Sequence, residues 1–129
     1  MRPVAPHLDV LIVDDEADMC WALRRIVESD GHRCAIARSA CEALQVLAGH
    51  SFHLAFVDVK LPDMDGLKLV QQMRRQVPTL PCIVVSGYFY DDDDPVQAAL
   101  QSGLIAGFIS KPFHLEQVQQ AMQCAGPLA

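Results

Sequence analysis

The chain reads as an α/β domain built on a parallel sheet with helices covering both faces. Two observations predict this class. Short apolar runs alternate with stretches of helical period five times along the 129 residues. Acidic residues also stand directly after two of those runs, Asp14 and Asp15 after Leu8 to Val13, and Asp58 after Phe52 to Val57. In an open α/β sheet the crevice outside the carboxyl ends of the strands is where ligands bind, so acids delivered there mark a site.

Taken in order, the strands are expected near 8–13, 33–37, 52–57, 81–85 and 105–109. In the first helix Met19, Ala22, Leu23, Ile26 and Val27 recur at the spacing of one helical face, and Asp30-Gly31 stops it. The second helix starts at Ser39 as N-cap, with Glu42 as its capping-box partner, and turns Ala40, Ala43, Leu44 and Leu47 inward. The third follows Asp65-Gly66 and faces inward with Leu67, Val70, Met73 and Val77 before Pro78 and Pro81 break the pattern. Asp94-Pro95 supplies an N-cap and a first-turn proline for a short fourth helix through Val96, Ala99 and Leu100, ended by Gly103. The fifth, after Lys111-Pro112-Phe113, turns Leu115, Val118, Met122 and Ala125 inward. Residues 1–129 are read as one domain, with 1–7 an N-terminal extension and 126–129 a tail or the beginning of a linker.

Composition narrows the function. A net charge of −6 with ten Lys plus Arg leaves no basic face, which argues against direct nucleic-acid binding by this domain. The five cysteines (Cys20, Cys34, Cys41, Cys82, Cys124) are odd in number and lie in apolar stretches rather than in CxxC pairs. They read as reduced thiols of a cytosolic protein, and Cys34, Cys41 and His32 are poorly spaced for zinc. The N-terminus lacks the apolar stretch of a signal peptide and no apolar run is of membrane length, so the expectation is a cytoplasmic chain without membrane attachment.

Three carboxylates meeting at one sheet edge repel one another. At ~4 Å and an effective dielectric of ~20 each pair costs about 4 kcal/mol, so the cluster needs a proton, a lysine or a metal. A hard divalent ion such as Mg²⁺ fits best, with Mn²⁺ as a substitute. Two further polar residues follow strands toward the same crevice, Ser86 after Ile83-Val84-Val85 and Lys111 after Phe108-Ile109-Ser110. Metal ligands, a nucleophilic carboxylate, a hydroxyl and an ammonium are the inventory of phosphoryl transfer.

With these pieces in order, the chain resembles the receiver domain of two-component response regulators over essentially its whole length. The matching segments are Val13-Asp14-Asp15-Glu16, Val57-Asp58 followed by Leu61-Pro62-Asp63-Met64-Asp65-Gly66, then Ser86-Gly87 and Lys111-Pro112-Phe113. The resemblance implies a flavodoxin-like (βα)5 fold with strand order 2-1-3-4-5. It implies that Asp58 is the phosphoacceptor for a phosphohistidine on a sensor histidine kinase or histidine phosphotransfer protein. Asp15 would bind Mg²⁺ directly and Asp14 through water, with Asp58 and the backbone carbonyl of Lys60 as the other protein ligands. Lys111 would pair with the phosphoryl oxygens, its position set by a cis bond to Pro112. Ser86 and Phe108 would form the switch that repacks the face made by the fourth helix, fifth strand and fifth helix. The same resemblance implies a self-phosphorylating switch rather than an enzyme acting on other substrates, either standing alone or as the front of a longer regulator with a C-terminal output domain, and a monomer or phosphorylation-dependent dimer.

The chain also has features of its own. Lys60 and Tyr88 occupy positions that in this family flank the attacking water, and they are expected to tune aspartyl-phosphate lifetime. Trp21 lies on the polar side of the first helix, as a kinase-docking hot spot or as a ring folded onto its neighbours. The interval from Ser86 to Lys111 is longer than expected and holds Tyr88-Phe89-Tyr90 and four aspartates, Asp91 to Asp94, read as a solvated loop or a charged docking segment. The fifth helix carries Gln117, Gln119, Gln120 and Gln123 without basic residues, which argues against an ion-pair dimer through that face. Three other functions compete. An aspartate-nucleophile phosphohydrolase would place an Asp where Lys60 stands, and a flavodoxin-like cofactor binder would need a phosphate cradle where Asp14-Asp15-Glu16 stand. A receiver signalling without phosphorylation would not need the full set of site residues.

Overall fold

The structure, a computed structural model, describes residues 7–87 and 94–123. Strands β1 (Asp9–Val13), β2 (Arg33–Ala37), β3 (Leu54–Asp58), β4 (Cys82–Ser86) and β5 (Gly107–Ser110) form one sheet in the order β2-β1-β3-β4-β5. Every neighbouring pair is parallel, as expected. The helices are α1 (Ala17–Ser29), α2 (Ala40–Gly49), α3 (Gly66–Gln76), α4 (Asp94–Ser102) and α5 (Leu115–Met122).

Side chains alternate across the sheet, and both faces are dry, which is why the central strands read as unbroken apolar runs. Val10, Ile12, Leu54, Phe56, Ile83, Val85 and Ile109 pack with Cys20, Leu23 and Val27 of α1 and Val118 and Met122 of α5. Their neighbours Leu11, Val13, Ala55, Val57, Cys82 and Val84 point the other way, onto α2, α3 and α4.

Several boundaries and faces differ from the sequence reading. The ladder continues through Asp58↔Val85 and Ser86↔Ser110, so Asp58 and Ser86 are the last residues of their strands rather than the first beyond them. In α1 the buried residues are Cys20, Leu23 and Val27, with Met19 and Ile26 half-buried. In α3 Leu69 is fully buried and Leu67 is not, while Val77 is the C-cap. Leu115, the first residue of α5, is 49% exposed rather than inward-facing, the first turn of the helix being less covered than Val118 and Met122 further on. Ser39 caps α2 as expected, its side chain accepting from the Glu42 N–H at 3.1 Å. Gly31 (φ 83°) and Gly103 (φ 78°) take the left-handed conformation that ends α1 and α4.

The chain leaves β1 for β2 on one side and returns to β3 on the other, so the strand order reverses at β1. The carboxyl ends of β1 and β3, where Asp14 and Asp58 stand, flank this topological switch point. At the opposite end of β1 the Nδ1 atoms of His32 and His53 accept from the N–H groups of Leu8 and Asp9, each at 2.9 Å, and staple two loops to the strand.

Candidate functional site

Asp14 follows β1 directly, buried, with its N–H donating to the Ala37 carbonyl at 3.1 Å. Its Oδ1 accepts from the Glu16 N–H at 2.9 Å, and its Oδ2 accepts from Lys111 Nζ at 2.9 Å. Asp58, also buried, accepts from the Lys60 N–H at 3.4 Å through Oδ1 and places Oδ2 3.6 Å from Lys111 Nζ. Lys111 thereby serves the ends of β1 and β3 at once. Its own backbone is anchored to β4, its N–H donating to the carbonyl of the buried Ser86 at 3.0 Å, and its bond to Pro112 is cis as expected.

The loop after Asp58 is pinned on both sides. Asp65 Oδ1 accepts from the Leu67 N–H at 2.8 Å and caps α3, and Lys60 pairs with Asp65 in an isolated bridge. The two oxygens of Asp63 accept from the Ala40 and Cys41 N–H groups at 2.9 and 3.0 Å, tying the loop to the first turn of α2 and lowering the Asp63 pKa. This second cap of α2 was not visible in the sequence, because its partners lie more than twenty residues away.

Charge in the cleft is poorly balanced. Burial, and then the nearby Asp14 carboxylate, push the Asp58 pKa up to about 6 against the opposing pull of Lys111. Burial works against the Lys111 charge, yet the carboxylates of Asp14 and Glu16 outweigh it and hold its pKa above the ordinary lysine value. Cys20 donates from Sγ to the Asp14 carbonyl at 3.2 Å, and burial pushes its thiol up to about 11, so it stays a protonated donor under the site.

Asp14, Glu16 and Asp58 can each offer an oxygen within 4.8 Å of the others. Such hard donors, with one ammonium among them, fit Mg²⁺ or Mn²⁺. Asp15 is exposed and lies outside that set. It lines the same cleft, of about 460 Å³, with Glu16, Asp58, Lys60, Leu61 and Pro62, and its carbonyl accepts from Arg38 Nη2 at 2.8 Å. Glu16 is the site residue the sequence reading passed over; its sole signal was its place after the acidic pair.

The remaining expected residues lie around this centre. The Lys60 side chain is exposed. Phe108 is half-buried on β5, opposite Val84, against the α2–α4 layer. Trp21 is 60% exposed and carries the Arg25 guanidinium 4.8 Å above its ring, so it is at once a surface aromatic and a ring packed on its neighbour. Tyr88, Asp91 to Asp93, Cys124 and the tail 126–129 lie outside the described residues, and nothing of the Asp94 side chain is described. Among the described residues no helix is long and apolar enough to cross a membrane.

Comparison with known proteins agrees with this geometry. The sequence model of the response regulator receiver domain matches residues 10–123. The DNA-binding transcriptional regulator NtrC of Escherichia coli K12 is 31% identical over 108 residues, covering 84% of this chain and 22% of that protein. The nitrogen assimilation regulatory protein NtrX of Azorhizobium caulinodans is 34% identical over 112 residues, covering 85% and 24%. This chain thus spans about a quarter of the length of these relatives or less. Among solved structures, a CheY-like receiver domain protein from Methanospirillum hungatei superposes with a TM-score of 0.83 at 27% identity, covering 92% of each chain. NtrX from Brucella abortus superposes at 0.82 and 28% identity, covering 93% of this chain and 27% of that one.

Proposed function

The chain belongs to the response regulator receiver domain family, and from that premise we propose that it is a phosphorylation switch with Asp58 as phosphoacceptor. The observation that carries the reading is the convergence of Asp14, Asp58 and Lys111 from three strand ends, with one ammonium within 3.6 Å of both buried carboxylates. The donor is a phosphohistidine on a sensor histidine kinase or histidine phosphotransfer protein. An Asp58 oxygen attacks phosphorus as the P–N bond breaks, and the departing imidazole takes a proton from water. Asp14, Asp15, Asp58 and the Lys60 carbonyl would hold Mg²⁺ or Mn²⁺, which would supply positive charge to the phosphoryl oxygens. Lys111 pairs with those oxygens, and the Ser86 hydroxyl bonds to them once transfer is complete. Phe108, half-buried on β5 next to the strand of Ser86, follows the hydroxyl inward and alters the face of α4, β5 and α5. The domain modifies itself and acts on no other substrate.

Incubation with Mg²⁺ and acetyl phosphate, followed by intact mass, tests this reading. Wild type gains one phosphoryl group and Asp58→Ala gains none. No gain in either would replace the phosphorylation switch with a phosphorylation-independent interaction module, and donor turnover without an adduct would make the protein a phosphohydrolase.

Finer roles follow from the same reading. Lys60 and Tyr88 set the lifetime of the aspartyl phosphate, measured as altered decay of the phosphoprotein in Lys60→Asn and Tyr88→Ala. Trp21 docks the kinase, so Trp21→Ala slows transfer from the cognate kinase and leaves labelling by acetyl phosphate intact. The much greater length of the relatives supports a C-terminal output domain in the cytoplasm, controlled by this domain as a monomer or phosphorylation-dependent dimer. Contact with nucleic acid belongs to that output domain.

A further inference from the structure

Glu16 occupies the N-cap of α1, with extended backbone angles (φ −89°, ψ 117°). Short N-cap side chains such as Asp accept from the N–H groups of the first turn, and the helix dipole favours an acid there. Glu16 makes no such bond. Its side chain reaches across the cleft to Lys111 instead, with Oε1 3.0 Å from Nζ. That contact spans 95 residues of chain.

The destination matters because Lys111 has three N–H donors. Two are used on Asp14 and Glu16 at 2.9 and 3.0 Å, while Asp58 stands at 3.6 Å, within ion-pair range and beyond a good hydrogen bond. The ammonium is therefore drawn toward α1, away from the acceptor carboxylate. Of its two anchors, Asp14 is buried and Glu16 is 57% exposed at the rim, free to turn into water.

We propose that Glu16 is a positioning residue that parks the Lys111 ammonium on the α1 side of the cleft, keeping it from competing with a divalent cation for Asp58. This rests on the magnesium-binding reading above. Without the latch, Lys111 settles between Asp14 and Asp58, and a metal must displace it from both.

The test is a double-mutant cycle on the unphosphorylated protein, with magnesium chloride alone titrated by calorimetry. Glu16→Gln keeps the side-chain shape at an exposed position, and Lys111→Met keeps the length of the buried stem. In the presence of Lys111, Glu16→Gln is expected to weaken magnesium binding about five-fold; in the Lys111→Met background the same change is expected to weaken it less than about two-fold, the residue of a screened surface charge. An equal or larger loss in the Lys111→Met background would make Glu16 a ligand and end the latch. No loss in either background would end it too. Absence of magnesium binding to wild type would remove the metal reading itself and the latch with it, which separates the two failures.

Discussion

Gly66 backs onto the carbonyl oxygen of Asp58 so closely that a side chain there would collide with it and lie 2.7 Å from the Val59 Cα. Both obstacles are backbone, and the Gly66 N–H donates to the Val59 carbonyl at 2.6 Å, so neither side can yield. Gly66→Ala is expected to cost about 1–3 kcal/mol, as overpacking does in a filled interior. Because the strain falls on Asp58 itself, acetyl phosphate labelling should drop as well. A urea midpoint and a labelling rate both unchanged from wild type would show that α3 can retreat.

Asp58 is held at a cost to the fold. Its pKa lies near 6 in the folded state against 3.8 ordinarily, so the folded protein disfavours the charged form. The penalty is complete above pH 6. As pH falls through 6 the folded state takes up a proton before the unfolded one, and the penalty is gone below 3.8. Asp58→Asn should therefore raise stability at pH 7.5, without metal, by about 1–3 kcal/mol. Urea unfolding at pH 7.5 and pH 4 should show the gain at the first and its disappearance at the second.

Arg74 joins two loops at the far end of α3. Its Nε and Nη2 donate to the Pro78 carbonyl at 3.1 and 2.9 Å, and its Nη1 donates to the carbonyls of Gly103 and Leu104, both at 2.8 Å. The planar fork suits this divergent set and a lysine ammonium does not. Arg74→Lys should lose on the order of 1–2 kcal/mol, and amide hydrogen exchange should rise first at Gly103 and Ile105, whose N–H groups bond to Leu100 and Ala99 at the end of α4.

What the sequence made legible was whatever depends on local order along the chain. Alternating apolar runs marked the strands, Ser39 marked the start of α2, and Gly103 marked the end of α4, since each acts through neighbours a few residues away. Asp14, Asp58, Ser86 and Lys111 could be aimed at one edge because a parallel sheet sends every strand end there. Glu16, Asp63 and Arg74 escaped because their partners are 95, 22 to 23, and 29 to 30 residues distant. A surface carboxylate or guanidinium looks the same in sequence whether it bonds to water or to a loop across the cleft. Leu115 misled for the opposite reason: its spacing was right for an inward face, but it is the first residue of α5 and stands exposed.

Magnesium should relieve the same charge imbalance that burial imposes on Asp58. On the proposed function the folded protein binds the ion and the unfolded chain does not, so metal at about ten times its dissociation constant should add roughly 1.4 kcal/mol of stability at pH 7.5. Binding requires the ionised carboxylate, and protonation of Asp58 near pH 6 competes with it. The increment should therefore shrink as pH is lowered from 7.5 to 5 at fixed magnesium, and the Asp58→Asn control separates it from general salt screening, which also fades as the net charge falls toward zero near pH 5. Thermal unfolding in EDTA and in magnesium at the two pH values measures it, with Asp58→Asn as the control that should lose most of the increment at both. An increment equal at pH 5 and 7.5, or retained in full by Asp58→Asn, would place the ion somewhere other than the cleft between β1 and β3.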